Sequence, residues 1–220
     1  MINILILSAG TRDKVVQYFK EALDGKGKVI ATDCSPYAPA IYEADEYVLV
    51  PRITEPGYLD KILEICREKQ ITGVLSLIDP ELSLLADNKE RFLEVGTVPI
   101  VPDAKQVDIC FHKYAMYEAC KALGFATGRC FLDRKEFYHA VENGELTYPV
   151  FVKPESGSAS LDIHMAQDQE TVEFLCSRED GLMIQEFMNG QEYGADVYID
   201  MLSGEVTSPL SMSVSYTHLR

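Results

Sequence analysis

The chain has 220 residues, of which 47% are hydrophobic and 25% are charged, proportions that exclude a disordered or fibrous protein. Its 20 Lys and Arg residues against 35 Asp and Glu residues give a net charge of −15, which argues against nucleic acid or an anionic membrane as the main partner. No apolar run approaches the ~18 residues of a membrane helix, and the six cysteines contain no C-x-x-C pair, so we predict a cytoplasmic protein with reduced thiols.

The first half of the chain alternates apolar strands with amphipathic helices. The predicted strands are 2–7, 28–32, 47–50, 73–78 and 98–101, and the helices between them are 12–23, 59–69 and one ending at 91–95. Strands separated by helices of this length predict βαβ units and an open parallel sheet. Residues 1–110 are therefore predicted to form a Rossmann-like α/β domain.

The second half of the chain is richer in predicted strands than the first. Helices are predicted at 112–123, 135–143 and 170–177, and strands at 148–153, 162–165, 182–186 and 192–200. Such a mixture after a parallel α/β unit predicts a second, α+β domain, joined to the first by a short segment at 103–112.

The turn after the first strand raises the possibility of a dinucleotide site. Asp33 ends the second strand, where a dinucleotide-binding fold places its ribose-binding acid. However, this turn has a single glycine, Gly10, and no G-x-G-x-x-G pattern, although the pyrophosphate needs close backbone approach. An NAD-dependent oxidoreductase therefore stays an alternative. The preferred interpretation is a βαβ unit that shares the architecture of dinucleotide-binding folds but binds no dinucleotide.

A lysine and a turn of small residues form the next candidate site. The strand 148–153 ends in Lys153, and the turn that follows contains Gly157, Ser158, Ala159 and Ser160. A lysine on a rigid strand can direct its charge at phosphate oxygens, and small residues leave backbone N–H groups accessible to them. An exposed lysine beside an ordinary hairpin turn fits the same pattern.

Two carboxylates at strand ends make the third candidate. One strand ends in Glu186, and after a glycine-containing turn the next strand opens with Glu192. Carboxylates in these positions could accept hydrogen bonds from an amino group and from ribose hydroxyls. Solvated acids on a surface hairpin are the alternative.

Taken together and in this order, these motifs resemble the ATP-grasp superfamily, and the chain is similar to the carbamoyl-phosphate synthase large subunit. The turns at 8–12, 33–36 and 78–82 resemble those of that subgroup, and His112-Lys113 resembles the start of the grasp fold. The resemblance implies an N-terminal Rossmann-like pre-ATP-grasp domain (1–110) followed by an α+β ATP-grasp domain (111–208) that is incomplete at the C-terminus.

The resemblance also implies a set of nucleotide-binding residues. They are Lys113, Lys153, Gly157, Ser158, Ala159, Ser160, Gln185, Glu186, Phe187, Met188 and Glu192. In the family, Lys113 contacts phosphate, and Lys153 reaches the α-phosphate and the adenine edge. Residues 157–160 form a lid over the β- and γ-phosphates. Residues 185–188 form the hinge whose backbone pairs with adenine, with Glu186 receiving the exocyclic amine, and Glu192 binds the ribose.

The implied activity is that of an ATP-dependent ligase. A carboxylate or bicarbonate attacks the γ-phosphate, and an amine or ammonia displaces the resulting acyl phosphate. ATP and Mg²⁺ are the expected cofactors, with the metal ligands expected beyond the end of this chain, so that the chain alone is expected to be inactive. We also expect residues 209–220 to be a tail outside the family and two copies to pair through the α/β domain. A non-catalytic nucleotide or metabolite sensor is the alternative, and the acid and amine substrates stay open.

Overall fold

The N-terminal unit is built around a five-stranded parallel sheet in the order β3-β2-β1-β4-β5. A computed structural model describes residues 1–157 and 161–213, with 208–213 as backbone only. The strands are β1 (Ile4–Ile6), β2 (Val29–Asp33), β3 (Glu46–Leu49), β4 (Gly73–Leu75) and β5 (Val98–Pro99). The helices are α1 (Asp13–Leu23), a 3₁₀ turn (Pro39–Tyr42), α2 (Tyr58–Glu68), α3 (Asp79–Asp87) and α4 (Lys89–Glu94).

Helices cover both faces of this sheet, which is why its central strands are continuous apolar runs. Alternate residues of β1 enter different cores: Leu5 packs with α2, α3 and α4, whereas Ile6 packs with α1 and the 3₁₀ turn. The order reverses between β1 and β4, and in sheets of this kind ligands bind at the carboxyl ends of strands beside such a reversal.

A buried carboxylate ties together the elements at that reversal. Glu81 is 0% exposed and accepts hydrogen bonds of 2.5 Å from the hydroxyls of Ser8, Tyr58 and Ser76. Burial, and secondly the charge of Glu81, raises the pKa of the Tyr58 hydroxyl, so it remains a donor. Strand β4 is shorter than predicted because the chain turns at Ser76 toward Glu81.

The second unit contains a four-stranded antiparallel sheet in the order β6-β9-β7-β8. Its core includes Phe137, Val150, Val152 and Ile184. The helices are α5 (Ala104–Phe111), α6 (Lys113–Ala122), α7 (Arg134–Glu142) and α8 (Gln169–Arg178). The strands are β6 (Cys130–Phe131), β7 (Val150–Pro154), β8 (His164–Ala166) and β9 (Leu182–Glu186), followed by a hairpin of β10 (Tyr193–Ile199) and β11 (Val206–Ser213).

The junction between the units differs from the expectation. The segment 103–112 forms α5, whose Val107 joins the core of the N-terminal unit. The helix predicted from residue 112 begins at Lys113, because His112 is extended (φ −98°, ψ 107°) and separates α5 from α6. Strand β11 continues past residue 208, where the family-like part was expected to end; the domain limits stay a prediction. Within the described ranges, no helix is long and apolar enough to span a membrane.

Removal of the Glu81 carboxylate should destabilise the protein strongly. In Glu81→Ala three hydroxyl donors lose their acceptor, and we expect the free energy of unfolding to fall by about 3 kcal/mol. Urea denaturation followed by circular dichroism measures this change. The matched control is Glu90→Ala, at an exposed position of α4, which should stay within about 0.5 kcal/mol of the parent. Equal stabilities of the two variants would contradict the role of Glu81.

Candidate functional site

One face of the antiparallel sheet carries the candidate site, and the other carries the core. Strand alternation places Lys153 and Phe151 of β7 on the open face, with Val150 and Val152 in the core. Register pairs Lys153 with Met183 and pairs Gln185 with both Phe151 and Cys130. These residues therefore form one continuous surface across three strands.

Helix α6 covers that surface and encloses a cavity of 190 Å³. Lys113, Met116, Tyr117 and Cys120 line it, and their spacing of three, four and seven residues places them on one stripe of the helix. Lys153, Met183 and Gln185 line it from the sheet. The two predicted phosphate-binding lysines thus lie in one cavity, on separate elements.

The electrostatics of the cavity favour an anionic ligand. Burial lowers the pKa of the Lys153 ammonium, and the charge of Lys113 lowers it further. Two cations that share a partly desolvated cavity repel each other, and a polyanion between them would relieve this repulsion. This local field is positive although the chain as a whole carries −15.

Lys113 also borders the loop that follows β7. Its Nζ donates a hydrogen bond to the carbonyl oxygen of Gly157 at 2.9 Å and lies 3.5 Å from that of Glu155. A second cavity, of 330 Å³, is lined by Lys113, Gly157 and Asp162. Lys113 therefore lines both cavities.

Glu155, directly after β7, connects the end of that strand to the start of α6 by hydrogen bonds. Its Oε2 lies 2.7 Å from Nδ1 of His112, its Oε1 accepts the backbone N–H of Tyr114 at 3.2 Å, and its carbonyl accepts that of Lys113 at 2.9 Å. A carboxylate at a helix N-terminus is also favoured by the helix dipole. This set of bonds fixes the backbone from which the Lys113 side chain extends.

The predicted hinge residues lie around the cavity in different ways. Gln185 faces the cavity, whereas Glu186 is on the opposite face of β9 and its Oε2 accepts the backbone N–H of Arg129 at 2.9 Å. The ring of Phe187 lies 5.6 Å from that of Phe151.

Met188 approaches the chain where it enters β6. Its sulfur is so close to Gly128 that a Cβ added to that glycine would lie 3.1 Å from it. Glu192 is exposed just before β10, and Ser158, Ala159 and Ser160 lie outside the described residues. The structure thus brings together Lys113, Lys153 and Gln185 and places Gly157 beside Lys113.

Several cavity residues were not predicted from the sequence. Cys110, Cys120 and Cys130 all line the cavity, as does Thr127. A signal for Cys120 was present, because it follows Lys113 by two helical turns. For Cys110 and Cys130 no sequence pattern gave a signal, since the packing of α5 and β6 brings them to the cavity.

The described residues do not fit a magnesium ion. Within 1–157 and 161–213, no cluster of three or more His, Cys, Asp or Glu side chains could hold a metal. The sequence placed the metal ligands beyond the end of the chain, and that expectation stays untested.

The dinucleotide alternative gains no support from Asp33. Its Oδ2 accepts the backbone N–H of Gly10 at 2.9 Å, and its Oδ1 accepts that of Ser35 at 2.8 Å. Both oxygens therefore stabilise the turns after β1 and β2, and neither is reserved for a ribose hydroxyl.

Comparison with known proteins supports the predicted fold class. Residues 4–101 match the family model described as the PylC-like N-terminal domain. The N5-carboxyaminoimidazole synthetase of Staphylococcus aureus superposes with a TM-score of 0.74 at 15% identity, over 99% of this chain and 55% of that one, and it has also been solved in complex with ADP. The L-amino acid ligase of Bacillus licheniformis superposes with a TM-score of 0.69 at 17% identity, over 98% of this chain and 51% of that one.

A shorter match relates the chain to a curated ligase. The D-alanine–D-alanine ligase of Ruminiclostridium cellulolyticum is 31% identical over 70 residues, which cover 27% of this chain and 19% of that protein. The chain has the fold class predicted for it, an α/β unit with a parallel sheet followed by an α+β unit, and the solved structures share this fold. The chain spans about half the length of the two solved enzymes.

The contact between Glu155 and His112 predicts a raised pKa for the His112 imidazole. The hydrogen bond to Glu155 raises the pKa of His112 above its ordinary 6.5, and Asp108, 3.7 Å from Nε2, adds a weaker effect. The stabilisation from this pair is therefore complete below pH 6.5 and is lost as pH rises through the raised pKa. NMR titration of the imidazole should show a midpoint that falls toward 6.5 in Glu155→Gln.

The matched variant is Asp108→Asn, which removes the more distant carboxylate. We expect its midpoint to stay closer to that of the parent than the midpoint of Glu155→Gln does. A larger fall in Asp108→Asn, or none in Glu155→Gln, would show that Glu155 is not the main partner of His112.

Proposed function

We propose that this chain provides the pre-grasp domain and the first nucleotide-binding lobe of an ATP-dependent ligase that joins a carboxylate or bicarbonate to an amine or ammonia. The observation that carries the proposal is the presence of Lys113 and Lys153 in one cavity between α6 and the sheet. The similar proteins are synthetases and ligases, one of them solved in complex with ADP, and this supports the proposal.

In this proposal the two lysines bind the phosphates from opposite walls. Lys153 is rigidly placed by β7, and Lys113 is placed by the bonds of Glu155 to the start of α6. Gln185 offers an amide to the polar edge of the adenine, and Phe187 and Met188 offer apolar contacts beside it. Glu192 is the proposed ribose contact, and 157–160 the proposed lid.

The reaction that fits this arrangement is phosphoryl transfer followed by acyl transfer. An oxygen of the acid attacks the γ-phosphorus, the bond from that phosphorus to the β–γ bridging oxygen breaks, and ADP leaves. The amine nitrogen then attacks the carbonyl carbon of the acyl phosphate, phosphate leaves, and the nitrogen loses a proton. The lysines would neutralise charge on the transferred group, the main demand of such a reaction, and no step is assigned to a metal.

We further propose that the enzyme is of the type related to the carbamoyl-phosphate synthase large subunit. Three turns that resemble that subgroup meet at the carboxyl edge of the parallel sheet. Ser8 bonds to Glu81, Gly10 bonds to Asp33, and the Arg12 guanidinium reaches the carbonyl oxygen of Leu77 at 3.5 Å. Pairing of two copies through this domain and a cytoplasmic location remain predictions.

A nucleotide or metabolite sensor on the same fold is the second candidate. The cavity that contains Lys113 and Lys153 fits this function as well, because binding an anion there requires no chemistry. A sensor would bind ATP with little dependence on Mg²⁺ and would not release ADP. Comparison of binding and of ADP release with and without Mg²⁺, in a longer protein that also contains the expected metal ligands, separates the two functions.

Removal of the Lys153 charge should weaken nucleotide binding selectively. A charge-assisted hydrogen bond contributes about 1.5–3 kcal/mol, so Lys153→Ala should bind a non-hydrolysable ATP analogue about 10- to 150-fold more weakly. Isothermal titration calorimetry measures the dissociation constant. The control is Lys26→Ala, since the side chain of Lys26 is 75% exposed and its Nζ lies 3.8 Å from Asp24; its affinity should equal that of the parent.

Two results would count against the proposed function. Equal affinities of the parent and Lys153→Ala would remove the assigned phosphate contact. Tight binding of NAD together with no binding of the ATP analogue would instead favour the dinucleotide alternative.

A further inference from the structure

Sulfur-containing residues make up half of the ten residues that line the helix–sheet cavity. Half of the six cysteines of the chain, Cys110, Cys120 and Cys130, line this one space, together with the thioethers of Met116 and Met183. The cysteines come from three different elements, α5, α6 and β6. They do not form a metal cluster within the described residues, so the arrangement concerns the chemistry of single thiols.

The three thiols differ in accessibility. Cys110 is exposed and Cys120 is partly buried, whereas Cys130 is buried. Burial raises the pKa of Cys130 to about 11, although the charge of Lys153 opposes this, so Cys130 remains a protonated and poorly reactive thiol at neutral pH. A reagent from solution therefore meets Cys110 first and Cys120 second.

A group bonded covalently to the Cys120 sulfur would leave no room in the cavity for a nucleotide. Cys120 lies on the same stripe of α6 as Lys113, and Lys153 lies across the cavity. The volume of 190 Å³ is below the ~300–1,000 Å³ of common ligand pockets, so a group bonded to this sulfur uses a large part of the space.

We propose that the cavity is a site of reversible thiol modification, in which small disulfides form mixed disulfides with Cys110 and Cys120 and thereby exclude the nucleotide. The cysteine gives up its proton and its thiolate attacks one sulfur of the reagent. The new sulfur–sulfur bond forms as that of the reagent breaks, and the leaving thiolate takes up a proton. An excess of free thiol reverses the exchange. This inference rests on the proposed nucleotide site.

Protection by nucleotide tests the location of the site. The protein is treated with 4,4′-dithiodipyridine, and the rate at which each cysteine is modified is followed by mass spectrometry of its peptides. With an ATP analogue at about ten times its dissociation constant, mass action predicts about tenfold slower modification of Cys110 and Cys120. Exposed Cys34, at the end of β2 in the other unit, is the internal control and should react at an unchanged rate.

The affinity for the ATP analogue before and after treatment with 4,4′-dithiodipyridine tests whether the mixed disulfides exclude the nucleotide. Calorimetry with the ATP analogue should show a loss of at least about tenfold, or 1.4 kcal/mol, on treatment of the parent and of Cys34→Ser, and dithiothreitol should restore binding. In the double variant Cys110→Ser/Cys120→Ser, the ratio of the two affinities should be close to one. Circular dichroism before and after treatment verifies that the fold is retained.

The possible failures can be told apart. If the untreated protein binds no ATP analogue, the proposed function is wrong, and so is the inference that thiol modification excludes the nucleotide. If the untreated protein binds and the fully modified protein binds equally well, the thiol site is wrong and the nucleotide site stands. Unprotected labelling of Cys110 and Cys120, or an equal loss of affinity in the double variant, also overturns the inference.

Discussion

The candidate site depends on the placement of two like charges, those of Lys113 and Lys153, in one small cavity. Lys153 extends from a strand whose alternate residues are in the core, and Lys113 begins a helix that covers the same sheet face. The lowered pKa of Lys153 shows that its charge is disfavoured by burial and by its neighbour. A multiply charged anion would reverse both effects, so the cost of holding the lysines together in the free protein becomes affinity for such a ligand.

Helix α5 connects this cavity to the N-terminal sheet. Val107 lies in the core formed with α2, α3 and α4, and Cys110, one turn further, lines the cavity. At His112 the chain becomes extended for one residue and then starts α6, with Glu155 bonded to the His112 ring and to the backbone N–H groups of Lys113 and Tyr114. The position of Lys113 therefore depends on the packing of two units, which gives the N-terminal unit a physical influence on the proposed nucleotide site.

Local pattern and order in the sequence were enough to predict the fold class. The apolar run of β1 predicts a strand buried on both faces, and alternation in β7 separates Lys153 from Val152. Other features depend on contacts distant in sequence. His112 at the break is bonded to Glu155, and Glu186, on the face of β9 opposite Gln185, accepts the N–H of Arg129. No periodicity encodes such contacts.

The pKa of Lys153, measured by NMR titration of its side chain, tests the shared cavity most directly. We predict a midpoint below the ordinary 10.5 in the free protein, a rise toward that value in Lys113→Ala, and no change in Lys135→Ala, which alters an exposed lysine on α7. Addition of the ATP analogue should raise the midpoint in the parent protein. A midpoint at 10.5 that responds neither to Lys113→Ala nor to the analogue would contradict the convergence of the two ammonium groups.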